Sequence, residues 1–270
     1  MKKFLALLLA ALLLLSLVGC KKEEAEENGD AEEAVEEAVS VYVDGDDSFS
    51  YAVNTQGKYE IVEFSSTNSE PHKVEIPDEI ATISVTGIAK DAFKASNEIS
   101  ELVIPDSVNY VADYAFYGCR YLVKVTLPDT ITEIGVAAFG DCPALTEIKL
   151  PAALTTLSAS FFADCSGLKT VILPKGLKSV GEGSFRSCVA LENVVLPAGL
   201  TEIGDVAFYG CVALGQIEIP ASVTTYGREI FGACGENFVI VPEKADNKAF
   251  AEFIATYGYE NYLPAPEEAE

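Results

Sequence analysis

Phenylalanine stands at Phe93, Phe116, Phe139, Phe162, Phe185, Phe208 and Phe231, each 23 residues after the last. Cysteine follows three residues later at Cys119, Cys142, Cys165, Cys188, Cys211 and Cys234, with Ser96 in the first copy. Proline keeps the same period at Pro105, Pro128, Pro151, Pro174, Pro197 and Pro220. Aliphatic columns stay in phase with them: Leu102, Val125, Ile148, Val171, Val194 and Ile217 form one. Ile104, Leu127, Leu150, Leu173, Leu196 and Ile219 form a second, and Val111, Ile134, Leu157, Val180 and Ile203 a third. The column after the third is small throughout: Ala112, Gly135, Ser158, Gly181, Gly204 and Gly227. Chance does not hold so many columns in register. One such unit cannot bury its own apolar face, whereas stacked units bury a continuous core.

A 23-residue period falls within the leucine-rich-repeat range. In each unit a segment such as Leu122-x-x-Val125-x-Leu127-Pro128 alternates apolar and polar, the mark of a half-buried strand. Its proline lacks a donor N–H and ends the strand. In the Gly-x-x-Ala-Phe-x-x-Cys stretch the glycine is expected to take the tight bend and Ala-Phe to form a short helical turn. The predicted fold is a leucine-rich-repeat solenoid with a parallel β-sheet on one face and short turns or helical turns on the other. At ~4.8 Å per strand, seven or eight coils span about 35 Å.

These residues closely resemble the BspA-type (treponemal-type) leucine-rich-repeat proteins of bacterial surfaces. Their unit reads roughly L-x-x-I-x-I-P-x-x-V-x-x-I-G-x-x-A-F-x-x-C, as in Leu191 to Cys211 here. The resemblance spans about residues 70–242. Departures are small: Phe161-Phe162 replaces Ala-Phe, Ser184 replaces an alanine, and Pro242 stands where phase predicts position 243. The interval from Pro77 to Pro105 is irregular. The resemblance implies a non-catalytic protein that attaches to host proteins or other cells.

The ends read differently. Lys2 and Lys3, an apolar run from Phe4 to Leu17, and Leu17-Val18-Gly19-Cys20 read as an export signal over 1–19. Leu-Val-Gly-Cys resembles the lipobox of bacterial lipoproteins, which implies lipid on Cys20 and an exported chain held at the cell membrane or cell surface. Residues 20–40 hold that cysteine and an acidic linker, whose positions 21–40 carry nine acids and two lysines. Residues 41–76 are expected to cap the N-terminal end, with a hairpin of Phe49, Tyr51 and Val53 against Tyr59 and Ile61 around Asn54–Gly57. Repeats occupy 77–242. A C-terminal helical cap over 243–263 presents Phe250, Phe253, Ile254 and Tyr257 on one face, with Asp246 as N-cap and Gly258 as stop. An acidic tail closes 264–270.

Composition excludes much chemistry. A net charge of −24 repels phosphate backbones, so no nucleic-acid partner is expected. A single histidine, His72, removes multi-histidine metal centres. His72 itself, beside Pro71 and Lys73, reads as a surface loop residue. The cysteine column suggests disulfides in an exported chain, but equivalent positions on adjacent coils point the same way. Their spacing exceeds the ~3.8 Å that Cβ atoms of a disulfide prefer, and parallel side chains do not converge on zinc. Buried thiols are the reading. Asp44-Gly45-Asp46-Asp47 lacks the spaced oxygens and closing glutamate of a calcium loop. No catalytic residue, metal or cofactor is assigned, and a monomer is expected.

The outward rows of the strands remain. One is Glu101, Lys124, Glu147, Thr170, Asn193 and Gln216; the other is Val103, Thr126, Lys149, Ile172, Val195 and Glu218. Lys124, Glu147, Lys149, Thr170, Ile172, Asn193 and Val195 are the candidate binding residues. A strip of about 10 by 35 Å falls short of the ~800 Å² per partner of a standard interface. A tight protein partner would also need the loops. The functional reading is a lipid-anchored surface protein binding host matrix proteins, glycans or other cells; the alternative is a structural envelope protein without a dedicated ligand.

Overall fold

The repeat columns become the interior of a stack of coils. The computed structural model describes residues 39–244 and 247–259. The expected signal, Cys20, the linker as far as residue 38, Asp246 and the acidic tail lie outside the described residues.

The N-terminal end is a three-stranded antiparallel meander: β1 (Ser40–Asp44), β2 (Asp47–Val53) and β3 (Tyr59–Ser66). β2 and β3 are the expected hairpin. β1 was not foreseen, and Asp44–Asp47 is the turn that joins it to β2. β4 (His72–Glu75) opens the first coil. The irregular interval is a small hairpin of β5 (Glu79–Ile80) and β6 (Ile83–Ile88). Its two turn residues, Ala81 and Thr82, both have positive φ, the conformation a two-residue hairpin turn favours.

Two parallel ladders then run along the solenoid, where one was expected. The broad ladder continues from β4 through β7 (Ile99–Val103), β9 (Lys124–Thr126), β11 (Glu147–Lys149), β13 (Thr170–Ile172), β15 (Asn193–Val194), β17 (Gln216–Ile219) and β19 (Val239–Pro242). Its hydrogen bonding falls into three blocks, β4-β7-β9, β11-β13-β15 and β17-β19. The narrow ladder starts from β6 and runs through β8 (Tyr110–Val111), β10 (Glu133–Ile134), β12 (Thr156–Leu157), β14 (Ser179–Val180), β16 (Glu202–Ile203) and β18 (Thr225–Tyr226). Between the ladders each proline carbonyl accepts from the N–H three residues on, as Pro105 does from Val108 and Pro220 from Val223.

The turn side is also hydrogen-bonded coil to coil. The N–H groups of Tyr114, Phe116 and Gly118 donate to the carbonyls of Val136, Ala138 and Gly140, and the pattern recurs every 23 residues. Positive φ falls at Asp91, Tyr114, Ala137, Ser160, Gly183, Val206 and Glu229, two positions after the small column. The small-column glycines therefore do not supply the left-handed bend expected of them. They are small because backbones approach there: a Cβ on Gly227 would lie 2.2 Å from the nitrogen of Asp205. Ser158 fits the same column by donating its hydroxyl to the Ile134 carbonyl over 2.6 Å.

The phenylalanine column is a stack of fully or nearly fully buried rings, with centroids 5.0 Å apart at Phe93–Phe116 and 5.1 Å at Phe185–Phe208. The caps extend it. Phe64 stacks on Phe93 at one end, and Phe238 and Phe253 meet Phe231 at the other. The terminal helix α1 (Lys248–Tyr257) buries Phe250, Phe253 and Ile254, whereas Tyr257 is exposed, outside the apolar stripe expected for it. Its N-cap is Asn247, whose side chain accepts from the Phe250 N–H; Gly258 ends it in the left-handed conformation, as expected.

Candidate functional site

The cysteine column is the most chemically distinctive feature of the interior, and it is structural. All six thiols from Cys119 to Cys234 are free, and five are buried. Each donates to the carbonyl of the phenylalanine one coil earlier: Cys119 to Phe93 over 3.1 Å, Cys165 to Phe139 over 2.9 Å, Cys188 to Phe162 over 3.1 Å. The same carbonyls accept the N–H three residues on in their own coil, as Phe162 does from Cys165. Burial pushes the thiols up, Cys188 to about 12 and Cys234 to about 11; Cys119, Cys165 and Cys211 also rise, from the same cause. Such thiols are poor nucleophiles. Among the described residues, no group of three or more His, Cys, Asp or Glu side chains is placed to hold a metal ion.

His72 is not a loop residue. It begins β4, with Nε2 2.9 Å from Asp47 Oδ1 and Nδ1 3.0 Å from the Glu70 carbonyl. It fastens the N-terminal meander to the first coil, because Asp47 belongs to β2. A second clamp is the hydrogen bond from the Tyr110 hydroxyl to Glu60, where burial first, and the carboxylate second, push the phenol up to about 12.

The outward rows form a continuous face of the broad ladder. Lys124 pairs across from Glu101, Glu147 from Thr170 and Thr170 from Asn193; Lys149 lies opposite Ile172. Lys124, Glu147, Lys149, Thr170, Asn193 and Val195 are all exposed, as are Gln216 and Glu218. Ile172 is 59% exposed and Val195 82%. Strand alternation causes this, since the intervening Val125, Ile148, Val171 and Val194 point into the core. Charges on the face are locally balanced: Lys124 has Glu101 opposite, and the Lys149 ammonium sits 3.9 Å from Asp129.

The face has two interruptions that periodicity does not reveal, between β9 and β11 and between β15 and β17. β15 and β17 are neighbours without ladder hydrogen bonds between them. A shallow groove of about 290 Å³ opens there, lined by Asn193, Val195, Ala198, Gln216, Glu218, Pro220 and Glu243. Gln216 and Glu218 continue the two outward rows, so the same alternation locates them, though not the gap.

The family model for the BspA type leucine rich repeat region matches six copies over residues 86–212 and 178–253, more than half of the chain. The chain belongs to this family. Its fold is similar to the crystal structure of a T. pallidum leucine-rich repeat protein, with 26% identity, TM-score 0.65, and coverage of 80% of this chain and 96% of that one. A leucine rich cell surface protein from Faecalibacterium prausnitzii A2-165 is similar at 20% identity and TM-score 0.44, over 75% of this chain and 76% of that one. A leucine-rich repeat protein from Bacteroides capillosus is similar at 26% identity and TM-score 0.44, over 49% and 97%. No curated protein matches the chain.

Proposed function

We propose that this protein is a non-catalytic binding module, exported and held at the bacterial cell membrane or surface by lipid on Cys20. On this reading it attaches to a host matrix protein, a glycan or a ligand on another cell through the outward face of the broad ladder. The observation that carries the reading is the exposure of Ile172 and Val195 beside Lys149, Thr170 and Asn193 on a rigid parallel ladder. Side chains there support nothing beneath them, so they are free to serve recognition. The groove between β15 and β17 adds a concave, mixed polar and apolar step to an otherwise flat face. Membership in a surface-protein family and the lipobox-like Leu17–Cys20 support display outside the cell.

The test is a binding screen of the tagged protein against host matrix proteins, mucin and bacterial glycans. A hit is then challenged with a combined Lys124→Glu, Lys149→Glu, Ile172→Ser, Val195→Ser variant. The reading expects binding to be lost while melting is unchanged; full binding by the folded variant moves recognition to the loops or caps. No saturable binding, with envelope defects on deletion, supports a structural envelope role instead. Cys20→Ala tests the anchor separately, by release of the protein from membrane or retention of an uncleaved precursor.

A further inference from the structure

Among the described residues, one edge of the sheet that begins the solenoid is open. Of the described strands only β2 is hydrogen-bonded to β1, which is the terminal strand of its sheet. At the opposite end α1 covers the stack, with Phe253 against Tyr226 and Phe231. Open edges are usually blunted by lysine, proline or a bulge. Ser40-Val41-Tyr42-Val43-Asp44 has none of these, and its register against β2 is unbroken.

The turn fixes which groups face outward. Asp44 and Asp47 flank a two-residue turn with Gly45 at φ 66°, so they exchange hydrogen bonds with each other, as do Tyr42 and Phe49. The N–H and C=O groups of Val41 and Val43 therefore point to the open side. Side chains alternate as well. Tyr42 packs against the core beside Phe49, while Val41 and Val43 are 59% and 61% exposed, with Val39 at 57%.

We propose that β1 pairs antiparallel with β1 of a second copy of this chain, about a two-fold axis through Tyr42. The strand is self-complementary in this register. Val41 falls opposite Val43 of the other copy, and the backbone groups that both leave unpaired face each other. Ser40 falls opposite Asp44, so no like charges meet. The valines of both copies merge into one apolar patch on a single face, covering surface that each copy exposes alone. A five-residue strand on each side is a small interface, so the association is concentration-dependent. Because each chain carries −24, screening of repulsion strengthens the pairing as salt rises.

Cross-linking of the full chain tests register and partner together. Opposed residues of a non-hydrogen-bonded pair lie about 4.5 Å apart at Cα, within disulfide reach. Tyr42→Cys is therefore expected to give a disulfide-linked dimer on mild oxidation, above any formed by the parent. Val41→Cys places its thiols diagonally, roughly 7–8 Å apart, and is expected to give none. Adding Val41→Lys and Val43→Lys to Tyr42→Cys is expected to abolish the dimer without altering melting. Sedimentation of the parent checks the strand without a new cysteine: its mass should rise with concentration and salt, and Val41→Lys/Val43→Lys should remain monomeric. Three results overturn the proposal: no excess dimer from folded Tyr42→Cys, equal cross-linking by Val41→Cys, or a parent that stays monomeric throughout.

Discussion

The thiol of Cys165 donates to the main-chain carbonyl of Phe139, 2.9 Å away and one coil earlier in the stack. The relationship repeats along the column, so cysteine joins successive coils as a donor as well as filling space. It also explains the absence of disulfides between neighbours: each sulfur is directed at a carbonyl. Cys165 and Cys188 should remain unlabelled by a maleimide in the native state, since burial disfavours their thiolates. After denaturation all six column cysteines should label without a reductant. Mass spectrometry of labelled peptides checks both halves, and a disulfide-linked pair of neighbouring peptides would contradict the geometry.

Core and face should separate cleanly in stability measurements. Phe162 is fully buried and lies between Phe139 and Phe185 in the ring stack. Its replacement by alanine is expected to cost ~3–5 kcal/mol. Ile172→Ser or Val195→Ser alters an exposed side chain and should stay within about ±0.5 kcal/mol. Denaturant unfolding of the three variants provides the comparison.

The periodic interior of the fold is legible in the sequence, whereas features set by how neighbouring coils and strands meet are not. Phe93 to Phe231 and their aliphatic neighbours were readable because each column occupies one periodic environment. The outward position of Ile172 and Val195 followed from strand alternation alone. The left-handed turns were not readable, because Tyr114, Ala137 and Val206 have no intrinsic preference for positive φ; hydrogen bonds from the next coil hold them there. Gly227 stands in a column that is small throughout, but the reason is backbone proximity rather than a tight bend, and that depends on how coils stack. β1 is not legible because Val41-Tyr42-Val43 adjoins an acidic stretch and its two valines pair with Ser50 and Ser48 of β2. The gap between β15 and β17 depends on hydrogen-bond geometry that residue type does not encode.

Backbone proximity in the small column makes a graded prediction. A methyl group on Gly227 would meet the Asp205 backbone at 2.2 Å, while one on Gly215 meets nothing within 4 Å. Gly227→Ala is expected to destabilise by about 1–3 kcal/mol. Gly215→Ala should be neutral or slightly stabilising. Melting temperatures of the two variants decide the matter.

Val206 is a β-branched residue held at φ 50°, in the column where Gly183 stands at φ 58°. Left-handed backbone costs an L-residue roughly 1–2 kcal/mol, against about 0.5–1 kcal/mol of extra chain entropy for glycine. Val206→Gly is therefore expected to raise stability slightly. Ala207→Gly, at the next position, lacks that compensation and should lower it. Paired thermal melts test the sign.

The His72–Asp47 contact predicts how stability depends on pH. Burial opposes charge on the imidazole, but the Glu70 carbonyl, Asp47 and Asp46 outweigh it, and His72 is held above its ordinary value of 6.5. A group whose pKa rises on folding stabilises the fold fully below its unfolded value and loses that contribution as pH climbs through the raised value. The clamp between β2 and β4 is therefore strongest in mild acid. Asp47→Asn retains the shape of the side chain and removes the charge. Its melting temperature should fall further below the parent's at about pH 5.5 than at about pH 8, because rising pH removes the proton from the raised imidazole. His72→Gln should remove the pH dependence of that difference. An Asp47→Asn deficit that is equal at both pH values would show that the contact acts as a neutral hydrogen bond, without protonation of the ring.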